Sequence, residues 1–165
     1  MLTLDIDIEE IWPETVPWDE LAARAAGALA MVAPEIAKTC LSASLLFTSD
    51  EEVQILNSEW RGKDKPTNVL SFPMLAREDL LELADDGPPE LLGDIAMAFE
   101  TCTREAQEKG ITLEDHATHL LIHGLLHLAG LDHEISPQDA RKMEELEIKA
   151  LALIGIADPY GDHHL

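Results

Sequence analysis

Five of the seven histidines in this chain fall between Thr112 and His133, in TLEDHATHLLIHGLLHLAGLDH. His123 and His127 are four residues apart inside an apolar run. Residues at that spacing are neighbours on one helix face, with Cβ atoms about 5–6 Å apart, so two imidazoles there can share one metal ion. Gly130 follows, and glycine accepts the left-handed conformation in which many helices end. The chain can then turn back and bring His133 to the same ion, giving the pattern H-x-x-x-H-x-x-G-x-x-H. Three neutral nitrogen ligands and no fourth protein ligand describe an open site. Structural zinc is usually closed by four protein ligands, whereas catalytic zinc keeps three and a water. The donor set suits one Zn²⁺ per chain, and also Ni, Cu or Fe. The spacing is that of the three histidines in the metzincin protease signature, in which a Glu general base directly follows the first His. Gly124 stands at that position, so protease-like metal geometry comes without the protease base.

Other residues surround this core. His119, one turn before His123, is an outer-shell partner, a substrate contact, or a fourth or substitute ligand. His116 reads as a polar residue near the helix start. Asp132 and Glu134 flank His133, and each can take the second N–H of a ligand imidazole or be a solvated turn carboxylate. Asp94 is conspicuous inside a predicted strand; it is a further candidate behind the site, with a structural hydrogen bond as the plainer reading.

The elements that must position these groups can be read from periodicity and punctuation. Residues 1–9 alternate apolar and polar, the pattern of a half-buried strand. An Ala-rich helix is predicted from Trp18 to Ala33, and a short apolar strand over Leu41 to Phe47. Ser49 or Thr48 can cap a helix to about Trp60, with acids in its first turn. Asn68 to Phe72 and Leu91 to Ala98 read as strands, and the acidic segment between them as a mobile loop. Glu100 to Lys109, the histidine helix starting at Thr112, and a helix from Pro137 to about Ile154 complete the chain. The expectation is one α+β domain over 1–165, with a four-stranded mixed sheet, about five helices and the metal site on a central helix and the turn after it.

Composition bounds the function. A chain of 165 residues with 46% apolar content is a globular domain. Cys40 and Cys102 lie far apart and in no metal or redox spacing, which fits free thiols in a reducing, cytoplasmic compartment. No signal peptide or membrane span is expected. The net charge of −22 argues, taken alone, against nucleic acid and anionic membranes. Salt screens exposed charges beyond about 8 Å, however, so the local sign at a contact decides. Arg61, Lys63 and Lys65 place three of the eleven basic residues within five positions, whereas Glu78 to Asp94 holds seven acids and no base.

HGLLHLAGLDH resembles the H-G-x-L-H-L-x-G-x-D-H signature of the YbeY family of bacterial ribosomal-RNA maturation factors. NSEWRGKDKPTNVLSFP resembles that family's second motif, and LLGDIAMA, followed by Glu105-Ala106, its Gly-Asp-Ile strand. The match runs in the family's order from about Ser44 to Leu153. Asn68 stands where the family more often has Asp, and Leu131 where an aromatic residue is usual. The resemblance implies a metal-dependent endoribonuclease specific for single-stranded RNA, acting in 3′-end maturation of small-subunit ribosomal RNA and in ribosome quality control. It implies zinc on His123, His127 and His133, a functionally important Arg61, and contacts with the small subunit through a ribosomal protein and an associated GTPase. DNA is not an expected partner.

The chemistry can also be argued from the residues. Phosphodiester hydrolysis needs an activated nucleophile and stabilisation of phosphoryl charge. Zinc on three imidazoles lowers the pKa of its water to roughly 7. Arg61 can grip phosphate with two parallel hydrogen bonds, which Lys cannot copy, while Lys63 and Lys65 supply point charges for substrate binding. His123 and Arg61 are accordingly the candidate catalytic residues. No general base is evident near the metal, leaving metal hydroxide or the RNA 2′-hydroxyl as nucleophile. Two other readings compete: a zinc hydrolase of another substrate class, favoured by a carboxylate base beside the metal, and a ribosome-assembly binding module with a structural metal.

Overall fold

The computed structural model describes residues 2–131 and 136–160. Its centre is a mixed sheet built from β1 (Thr3–Ile8), β2 (Leu41–Thr48), β3 (Val69–Pro73) and β4 (Glu90–Ala98), in the order β1-β2-β4-β3. β1, β2 and β4 are parallel, and β3 returns antiparallel to β4. The connections are α1 (Trp18–Val32), a 3-10 turn at Pro34–Ala37, α2 (Asp50–Arg61) and α3 (Arg77–Glu82); then come α4 (Phe99–Lys109), α5 (Leu113–Leu128) and α6 (Pro137–Leu153). The α+β architecture is thus as expected from sequence, with one helix more.

That extra helix, α3, lies in the acidic segment expected to be a mobile loop. Leu80 is fully buried, and Lys38 Nζ donates to its carbonyl at 2.5 Å. The residues after α3 dock too: Cys40 N donates to Asp85 O, and Glu90 N to Cys40 O. One buried leucine and these bonds anchor a stretch whose charge suggests solvent.

Strand side chains alternate between the two faces of the sheet. Ile95 and Met97 join the main core with α1 and α5 residues such as Leu29, Leu121 and Leu125. Ala96, Ala98 and Leu70 face the other way, against Val53 of α2. α5 packs against α1, α4, α6, β3 and β4, and so runs through the middle of the domain, as its nearly all-round apolar character predicts.

The start of α5 is fixed by Thr112, whose side chain accepts from the Asp115 amide. Its end is held by Arg77, whose Nη1 donates to the Ala129 carbonyl at 2.7 Å while Nη2 pairs with Glu35 at 2.9 Å. A cation there also complements the negative end of the helix dipole. Gly130 then takes φ +92, and a Cβ at that position would lie 2.5 Å from Arg77 Cβ. Glycine is needed there for conformation and for space.

Both devices can be tested by urea unfolding. Arg77→Ala should lower stability by about 1–3 kcal/mol, the range for a hydrogen bond to a charged group, discounted for partial exposure. Gly130→Ala should cost about 1–2 kcal/mol from its left-handed φ alone. Because the two residues touch, the double variant should lose less than the sum. Strict additivity would show that they do not act as one closure.

Candidate functional site

α5 presents its histidines to a cavity of about 480 Å³ lined by His116, His119, His123 and His127, by Asn68, Val69 and Ser71 at β3, by Glu105 and Lys109 of α4, and by Arg61 and Tyr160. Steps of three, four and four residues keep the four imidazoles in one stripe. Neighbouring rings are 6.5 Å apart between centroids, both for His116–His119 and for His119–His123.

Two of these rings are held through Nδ1. Glu147 Oε2 lies 3.1 Å from His123 Nδ1, and Ser71 Oγ lies 2.5 Å from His127 Nδ1. A carboxylate only accepts, so His123 donates to it from Nδ1. A metal held by these two residues would be bound through Nε2 of each, with the outer partner fixing tautomer and ring angle. Among the described residues no three His, Cys, Asp or Glu side chains surround one point. His133, the third histidine of the motif, and Asp132 beside it lie outside the described residues.

Glu147 is fully buried. Besides His123 it accepts from His119 Nε2 at 2.6 Å and from the Tyr160 hydroxyl at 2.5 Å. Burial pushes its carboxyl pKa up. The hydrogen bonds from His119 and His123, together with the charge of those rings, outweigh burial and bring it down to about 2. Glu147 is therefore a fixed anion behind His123. Burial and the adjacent Glu147 charge push the Tyr160 phenol up, so it stays a donor.

Arg61 is the last residue of α2, and Gly62 caps that helix at φ +68. The buried Asn57 holds the following loop by donating Nδ2–H to the Lys65 carbonyl at 2.9 Å. These features bring Arg61 to the wall of the cavity, although it is far from the histidines in sequence. Lys63 and Lys65 are exposed and lie outside that lining. The second cation at the wall is Lys109, which the motif reading did not single out.

Asp94 requires a correction. It does not stand behind the histidines: by strand alternation it shares the face of Ala96, turned away from α5, and it lines a separate cavity with Asp5, Asp7 and Ser44. Gly124, at the position of the protease glutamate, faces the sheet, where a Cβ would lie 3.0 Å from Ile95 Cδ1.

Two carboxylates at the site were given no role from sequence: Glu147, which went unnoticed, and Glu105, noted only as part of a motif. Glu147 sits in the apolar stripe of α6 with Met143, Ala150 and Leu151, all buried. An acid at such a position is itself a signal, because an unpaired charge there is costly. Glu105 Oε1 accepts from His116 Nε2 at 2.9 Å and from Asn68 Nδ2 at 3.0 Å. The amide of Asn68 makes a bond that Asp could not donate. Burial lowers the pKa of His116, outweighing Glu105, so this ring is a neutral donor.

Comparison with known proteins bears on the family and the fold. A model of the family described as endoribonuclease YbeY matches residues 8–155. Curated proteins named endoribonuclease YbeY are similar over nearly the whole chain. The one from Novosphingobium aromaticivorans is 57% identical, covering 95% of each chain. That from Erythrobacter litoralis is 60% identical, covering 98% of this chain and 99% of its own. A Thermotoga maritima protein solved in solution shares the fold, with TM-score 0.59 and 24% identity over 93% of this chain and 91% of its own. The chain belongs to the endoribonuclease YbeY family.

Proposed function

We propose that this protein is a metal-dependent endoribonuclease that cuts single-stranded RNA, acting in the cytoplasm on the 3′ end of small-subunit ribosomal RNA and in ribosome quality control. A small-subunit ribosomal protein and a ribosome-associated GTPase are the partners proposed with it. The observation that carries the reading is the meeting of Arg61 with His123 and His127 on one cavity, with both imidazoles held at Nδ1 by Glu147 and Ser71.

The donor set fits a transition ion, with Zn²⁺ first and Ni, Cu or Fe as chemical alternatives. His123 and His127 would hold it, with His133 as the third ligand from the motif. When bound, such an ion supplies Lewis acidity, activating water and drawing charge from phosphoryl oxygens. Glu147 and Ser71 keep the rings from turning. Arg61 grips the scissile phosphate or its neighbour with two parallel hydrogen bonds, and Lys109 adds a point charge at the same wall. Lys63 and Lys65 meet the strand further out.

A hydrolase of another substrate class would need a carboxylate able to reach a nucleophile. Glu105 lines the cavity but is tied to His116 and Asn68; Glu147 stands beside His123, but it is fully buried against Nδ1 of that ring. It can orient His123 and cannot take a proton from the cleft. Such a hydrolase would also leave Arg61 without a task.

Metal-loaded protein should cleave single-stranded RNA and lose that activity with a chelator. Elemental analysis should find about one equivalent of metal, lost together with cleavage in His127→Ala. Unchanged metal content in that variant would reject the ligand assignment. Glu147→Gln and Ser71→Ala should each weaken metal affinity about 10–100-fold, the usual cost of losing an outer partner; equal affinity to the parent would show that these groups do not set the rings. Arg61→Ala should keep fold and metal while losing about a hundredfold or more in cleavage rate, as for removal of one charge-stabilising donor. Arg61→Lys should recover part of it. Parent-rate cleavage by Arg61→Ala would remove Arg61 from the mechanism.

A further inference from the structure

We infer that Glu105 accepts a hydrogen bond from a ribose 2′-hydroxyl of the bound strand and so makes the cleft prefer RNA to DNA; the inference rests on the ribonuclease reading above. Glu105 is half-buried in the wall of the histidine cavity, with its side chain 30% exposed. Its Oε1 is held from behind by two donors, His116 Nε2 and Asn68 Nδ2. His116 is 1% exposed. Both donors go to one oxygen; the other, Oε2, makes no hydrogen bond among the described residues and is not one of their buried unpartnered atoms, so it stays open to solvent.

An ionised carboxylate is an acceptor only. It repels phosphate and rewards a donor. A single RNA strand offers two kinds of donor, the 2′-hydroxyl and the base amines. The neighbours of Glu105 favour the first. Lys109 is one helical turn further along α4, where side chains four apart lie side by side, and Arg61 lines the same wall. Cations of this kind hold phosphates. The 2′-hydroxyl is on the sugar carbon next to the one that carries the 3′ phosphate, so a phosphate seated on these cations puts that hydroxyl beside Glu105. Base amines project away from the backbone. In DNA the same place holds a C–H, which strips water from Oε2 and returns no hydrogen bond. The 2′-hydroxyl is also the group by which proteins tell RNA from DNA.

A structural Glu105 would need only Oε1, which ties α4 to β3 and α5. Glu105→Gln keeps a carbonyl oxygen for His116 and Asn68 and replaces the outward oxygen with a neutral NH₂. The test is binding of labelled RNA and DNA strands of one sequence, read by fluorescence anisotropy, with the RNA recovered and checked intact. The parent should bind RNA roughly tenfold tighter than DNA, the worth of one hydrogen bond to a charged acceptor. The ratio should fall to about threefold in Glu105→Gln, since a neutral bond is roughly half as strong, and approach one in Glu105→Ala. Circular dichroism checks that each variant is folded. A parent without preference for RNA overturns the inference. So does a folded Glu105→Gln that keeps the parent ratio, or one that keeps it while changing the bases preferred. RNA cleavage by the metal-loaded parent is measured beside this: no cleavage rejects the ribonuclease reading, whereas cleavage with an unaltered ratio rejects only the role of Glu105.

Discussion

A buried carboxylate that must stay charged organises this molecule. Glu147 has no contact with solvent, and taking one such ion out of water costs several kcal/mol even after relaxation. That cost is offset by three donors from two parts of the chain: His119, His123 and Tyr160. Two come from α5 and the third from the segment after α6. The anion therefore ties the last helix and the segment beyond it to the central one, and in the same act fixes the plane of the His123 ring. Removing one partner of a buried, hydrogen-bonded charge typically costs about 3–5 kcal/mol because the remaining charge is left underpaired. Fold and site here share one interaction.

The same economy governs charge at larger scale. With a net charge of −22, most of the surface repels RNA, and screening confines each attraction to about a Debye length, roughly 8 Å. Binding then depends on the few cations placed where the strand must lie. In the proposed reading Arg61 and Lys109 meet that condition at the wall of the histidine cavity, each in the last turn of its helix. The carboxylates Asp5, Asp7 and Asp94 gather at a different cavity, on the far face of the sheet. The acidity that argues against nucleic acid when read as a total is, once distributed, compatible with binding at one cleft.

What the sequence made legible is what local chemistry decides. Helix starts at Ser49, Thr112 and Ser136 are real caps, each side chain accepting from the amide three residues on. Strand periods and glycine stops are local too, and the four strands and the long helices follow from them. α3 was missed because its anchors, the buried Leu80 and the bonds of Arg77 to Ala129 and Glu35, involve residues distant in sequence. Glu147 was missed for the same reason: its imidazole partners are 24 and 28 residues away. Asp94 misled for a different one. As an acid in a buried strand it looked like part of a site, yet strict alternation with Ile95 and Met97 already turned it from α5. His133 lies outside the described residues, so its place in the site stands on spacing and resemblance.

Gly124 shows how packing and chemistry constrain each other. Read against the protease signature it is a missing base. In the fold it is the point where α5 lies close against β4, with Ile95 Cδ1 3.0 Å from where a Cβ would be. One residue on from His123, it points about 100° away round the helix, toward the sheet and not into the cavity. A carboxylate there would be driven into the core between α5 and the sheet. The close approach also places His127 within reach of Ser71 on β3. A side chain at this position would first have to displace the Ile95 side chain, so the small residue belongs to the packing of α5 on β4. Of the described residues lining the cavity, the carboxylate that remains is Glu105. It is held by one oxygen, and the other makes no hydrogen bond among the described residues. That position suits the proposed reading of the substrate's hydroxyl, a second reason to favour RNA over peptide as the substrate.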